Sequence, residues 1–115
     1  MGFFSSAKGT YLCIKTFSQV MDQGLPLTQV RCPSWWNNQD DQQVIFLTVK
    51  TALGEKNPLM GLLCNKFNTR TIAAIAHTAA RLEEAGFSFD EQAKFICIHI
   101  VSYVQEHGLN AIIAE

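Results

Sequence analysis

Apolar residues recur at roughly 100° per residue in every long segment of this chain, and that period points to helices. From Thr10 to Asp22, the side chains of Cys13, Ile14, Phe17, Val20 and Met21 share one face, with Lys15, Ser18, Gln19 and Asp22 opposite and Gly24 as the stop. From Asp40 to Leu53 the stripe is Ile45, Phe46, Val49, Ala52 and Leu53. Asp40 and Asp41 stand at the end where a helix dipole favours acids, and Gly54 is expected to close the segment. Asn57 followed by Pro58 reads as an N-cap with proline at the first helical position. It opens a short helix to about Phe67, with Leu59, Leu62, Leu63 and Phe67 on one side.

A further start lies near Asn68, after which Ile72, Ile75, Ala76, Ala79 and Leu82 line one face up to Gly86. Alanines at 73, 74, 76, 79, 80 and 85 keep this helix slim, so a neighbour can approach closely. Ser88 with Glu91 three residues later is a capping box, and the helix it opens should run to Gly108 with Phe89, Ala93, Ile96, Cys97, Ile100, Tyr103 and Val104 on one face. The run from Phe95 to Val104 is also β-prone, so an α+β fold with a buried strand there is the alternative; the caps and the length of the segment favour helix. The expectation is an all-α, compact single-domain bundle of four to five helices over 1–115. A long loop at about 24–39 carries Pro26, Pro33 and a cluster of Asn, Gln and Asp.

Composition narrows the function classes. With 115 residues, 48% hydrophobic and only 17% charged, the chain has the material for a core and does not read as disordered. A formal charge of −1 supplies no global positive field for nucleic acid. The Ala-rich helix, Gly86 turn and capped helix resemble a helix-turn-helix in outline. The would-be recognition helix, however, opens with Asp90 and Glu91, where phosphates and base edges would lie.

The longest apolar run is too short to span a bilayer, and the first residues lack the basic start of a secretory leader, so a cytoplasmic protein with no membrane partner is expected. Gly2 with Ser6 formally fits a myristoylation pattern, although the paired Phe3 and Phe4 more simply cap a core. Cys13, Cys32, Cys64 and Cys97 are too far apart in sequence to form a C-x-x-C pair and read as reduced thiols used as small apolar residues.

No motif for chemistry emerges. His77, His99 and His107 form no i, i+4 pair, so no metal and no cofactor are expected. Cys97 and His99 point about 200° apart on a helix, and the neighbours Asp40/Asp41 and Glu83/Glu84 diverge, which leaves no local nucleophile, base or acid pair. A Cys/His pair made through tertiary contact stays open. The chain is therefore not expected to be an enzyme, and no catalytic residue is assigned.

Three features suggest binding. Arg70, His77 and Arg81, with Glu84, fall within about 60° of one another and form a narrow basic ridge for an anion or an acidic partner. Trp35 and Trp36 are adjacent in the polar loop, where neighbouring side chains diverge, so one is expected at the surface as a partner contact. Phe95 and Ile98 lie roughly 220° and 160° from the centre of the main stripe of the last long helix, and the tail adds Leu109, Ile112 and Ile113. Together they predict a homodimer or a foreign protein partner. By elimination the chain reads as a non-enzymatic protein–protein interaction protein: self-associating, adaptor, inhibitor or immunity-type binder. The alternatives are a helical binder of an apolar small ligand and, less favoured, a nucleic-acid-binding regulator.

Overall fold

The computed structural model describes residues 3–115, with side-chain surroundings from Ser6 onward. Gly2 of the myristoylation pattern, and the side chains of Phe3 and Phe4 expected to cap a core, lie outside the described residues. The described chain is all helical: α1 (Phe3–Gln23), α2 (Gln39–Lys56), α3 (Pro58–Leu63), α4 (Thr69–Glu84), α5 (Phe89–His107) and α6 (Asn110–Ile113), with one 3₁₀ turn at Leu27–Gln29. That is one helix more than expected, because the apolar tail folds into α6. The strand alternative fails, since Phe95 to Val104 lies inside α5. No described helix is long and apolar enough to cross a membrane.

The caps work as local chemistry requires. Asn38, Asn57, Asn68 and Ser88 each accept backbone N–H groups at the starts of α2, α3, α4 and α5, and Glu91 returns the bond to Ser88 N at 2.9 Å. Gly24 and Gly108, with φ of 63° and 88°, take the left-handed backbone that ends α1 and α5. Not all glycines are punctuation. Gly9 lies inside α1, which begins well before the expected Thr10, and a Cβ there would sit 2.5 Å from the tip of the Phe95 ring. Gly54 does not close α2 but continues it to Lys56, because α3 folds back against it: a Cβ on Gly61 would lie 2.8 Å from Gly54 Cα.

The Ala-rich α4 is the central element. Its Ala73, Ala74, Ile75, Ala76, Ala79 and Leu82 are buried, and α1 is its main neighbour, the close approach expected of a slim helix. The core adds Phe17 and Val20 of α1, Ile45, Val49 and Leu53 of α2, and Ile96, Ile100 and Val104 of α5. Helix α2 packs on α5, α3 packs on α2, and α6 closes over α4 and α5.

Two expected stripes are corrected. Ile14 of α1 is exposed, because α5 does not cover that edge of the helix. Helix α3 ends at Leu63, short of Phe67, and its Leu59, Leu62 and Leu63 face solvent at 59, 72 and 52% exposure. Gly61 and the C-terminal end of α3, not the leucines, face α2; only Phe67 of that set joins the core, its ring tilted against Phe46 at 5.4 Å between centres.

Candidate groove between α1 and α5

Helices α1 and α5 run in the same sense, since Gly9 meets Phe95 near their starts and Phe17 meets His99 and Tyr103 further on. Between them lies an open groove of about 400 Å³. One wall is Thr10, Cys13, Ile14 and Ser18 of α1, so Ser18, expected opposite Cys13 and Ile14, borders the same groove; the other comes from α5 at matching helical spacing, Phe95, Ile98, His99, Ser102, Tyr103, Glu106 and His107. Thr10, Ser18 and Ser102 give it short hydroxyl-bearing side chains. Ile14 and Ile98 stand at its rim, 53 and 58% exposed.

The α5 wall is a ladder of rings. His99, Tyr103 and His107 are spaced i, i+4, i+8; Tyr103 lies 4.3 Å from His107 between ring centres, and Phe17 packs edge-on against His99 at 5.1 Å and Tyr103 at 5.4 Å. Burial lowers the His99 pKa below that of a free imidazole, so the ring is neutral at pH 7, and its Nε2 is buried without a hydrogen-bond partner. Burial, with a smaller push from Asp22, raises the Tyr103 phenol. The Cys13 thiol is pushed up to about 12 by burial.

Cys13 and His99 thus come to one groove without a hydrogen bond from His99 Nε2 to the thiol. The thiol stays protonated, and Nε2 has no partner. The arrangement can hold an apolar body against aromatic faces, with hydroxyls of Thr10, Ser18 and Ser102 at its edge.

Compared with models of known protein families, with curated proteins and with solved structures, the chain matches none.

The residues singled out from the sequence are scattered, and most are occupied within the chain. Trp35 donates Nε1–H to Gln92 Oε1 at 2.8 Å and stands edge-on to Phe89 at 5.0 Å; Trp36 is buried, and its carbonyl accepts from Gln42 Nε2. Trp36 is buried and Trp35 half-buried: the turn at 34–37 tilts the two rings toward each other, 5.7 Å between centres, instead of splaying them. Phe95 is buried against α1 and edge to Phe87 at 5.2 Å, so the second surface it needed is supplied within the chain. Ile112 is fully buried, Leu109 and Ile113 pack on the core, and Asn68 fastens the tail through its N–H to Ile112 O at 2.8 Å and its Nδ2 to Ala111 O and Ala114 O. Only Ile98 of the seven apolar candidates is exposed.

The basic ridge is partly covered by the long loop. His77 Nδ1 accepts from Arg31 N–H at 3.2 Å, and Arg31 pairs with Glu84 at 2.8 Å. Ser34 donates to both oxygens of Glu83, while Arg70 and Arg81 stay exposed. His77 is pulled to lower pKa chiefly by burial.

Cys13, Ile14, Ser18, His99, Tyr103 and His107 do not stand out as one set in the sequence. The i, i+4, i+8 spacing of the three rings was legible. Their pairing with α1 was not, because it depends on Phe95 finding the gap at Gly9.

Proposed function

We propose that the protein is a non-catalytic binding protein that takes an apolar, ring-containing small molecule in the groove between α1 and α5. The observation that carries this reading is the groove itself: about 400 Å³, walled by rings on one side, with Ile14 and Ile98 at its rim beside the hydroxyls of Thr10, Ser18 and Ser102. A volume of that order falls within the range of small-molecule sites, and a planar ligand would stack against Tyr103 and His107. A protein partner gripping the Trp pair or the tail has less support, since Trp36 and Ile112 are buried and Trp35, Leu109 and Ile113 are half-buried against the core. The protonated Cys13 thiol supports a binding rather than a catalytic role. Four free thiols support a reducing, cytoplasmic setting.

The test is titration with N-phenyl-1-naphthylamine, a neutral ring-bearing fluorophore. Saturable enhancement with one site per chain is expected. Ser102→Trp, which fills the groove from an exposed position, should abolish it while leaving the circular dichroism spectrum unchanged. Absence of saturable binding, or binding indifferent to Ser102→Trp, overturns the proposal.

A further inference from the structure

We infer that α3 is a docking tip for an anionic lipid surface, separate from the groove. Three leucines, Leu59, Leu62 and Leu63, stand 59, 72 and 52% exposed on a helix of six residues. A helix this short does not persist by itself, so its presence has to come from its fastenings. Asn57 caps its start at Leu59 N, 3.0 Å away. Lys50 Nζ donates to Gly61 O and to Cys64 O at its other end, and the glycine pair at 54 and 61 brings the α3 backbone against α2. The leucines are thus held outward on a rigid mount, and none of the described residues folds over them.

Charge and area indicate what covers them. From Lys56 to Leu82 the sequence contains no carboxylate, while Lys56 and Lys66 flank the leucines and are both exposed. Along the chain the acids bounding this stretch are Glu55, beside Lys56, and Glu83, which accepts from Ser34, while Glu115 accepts from Thr69 N and Oγ1. In a chain whose formal charge is −1, the apolar tip therefore stands in a locally positive segment. At these exposures the three leucines offer on the order of 300 Å² of apolar surface, well below the ~800 Å² per partner of a stable protein interface. Insertion of a few apolar side chains beside basic ones is instead how a peripheral protein sits at an acidic membrane face. The sequence expectation of no membrane partner rested on the lack of a spanning segment, which such docking does not need.

Vesicle sedimentation tests the inference, comparing phosphatidylcholine vesicles with vesicles containing phosphatidylserine. The protein should partition onto the anionic vesicles, at least about tenfold more strongly than onto neutral ones, and release as salt is raised. The variant Leu59→Ser/Leu62→Ser/Leu63→Ser should lose at least about tenfold in partitioning, and Lys56→Gln/Lys66→Gln should lose the preference for anionic lipid while keeping the leucines. Circular dichroism and a thermal melt verify that both variants are folded, and Leu62→Ser alone is the fallback if the triple variant is not. Wild-type protein that stays in the supernatant, or binding that ignores the leucine changes, overturns the inference. So does a leucine-dependent dimer without vesicle binding, which would assign the tip to a second copy. Loss of naphthylamine binding would leave this result untouched, because the groove and the tip share no residue.

Discussion

Gly54 and Gly61 face each other across the α2–α3 contact, yet alanine is expected to have opposite effects at the two positions. A Cβ on Gly61 would meet Gly54 Cα at 2.8 Å and Gly54 N at 3.4 Å, both backbone atoms that cannot swing aside. A Cβ on Gly54 would meet Gly61 Cα at 3.5 Å, an ordinary contact. Replacing glycine by alanine inside a helix gains about 0.5–1 kcal/mol by restricting the unfolded chain. Forcing a methyl into a filled contact costs about 1–3 kcal/mol. Gly54→Ala keeps the gain alone and should raise the melting temperature by about 2–4 °C. Gly61→Ala should be about 1–2 kcal/mol less stable and melt about 4–8 °C lower. Because α3 packs on α2 and on no other helix to a comparable degree, part of the strain can be relieved by α3 lifting away. Hydrogen exchange at α3 amides should therefore accelerate in Gly61→Ala and not in Gly54→Ala. The double variant should be worse than the sum of the two, since each new methyl meets the other. Equal stabilisation by both single changes would refute the reasoning.

Further outcomes follow from burial and hydrogen bonding. Burial holds His77 and His99 below the ordinary imidazole pKa, so the unfolded chain binds protons more readily than the folded one; stability is full above about pH 6.5 and falls as pH drops through the lowered values. Urea titrations between pH 7 and 5 should show the loss, and His77→Gln/His99→Gln should flatten it. Ile112→Asp places a carboxylate where exposure is zero and should cost at least about 3 kcal/mol, whereas Ile98→Asp, at 58% exposure, should stay within about 0.5 kcal/mol; chemical denaturation separates the two. In native protein Cys32 should react first with a thiol reagent, Cys97 more slowly, and Cys13 and Cys64 only after denaturant is added, when all four titrate.

The helices and their ends were legible because they are local. Asn57, Asn68, and Ser88 with Glu91 satisfy backbone donors within three residues, and the period of 3.6 shows in stretches of one helix. Which apolar residue is covered is not local. Leu59, Leu62 and Leu63 carry a correct helical stripe but lie opposite Gly61, and the close glycine contact, not the stripe, decides which side of α3 meets α2. Phe95 lies off the main stripe of α5 and is buried because Gly9, far away in sequence, leaves room for its ring. The Trp35 indole found Gln92 across 57 residues. Hydrophobic pattern and capping chemistry determined that this chain forms a helical bundle. Only the tertiary structure decided which apolar faces stay open as a groove and a tip, because burial depends on the shape of the partner helix as much as on the residue itself.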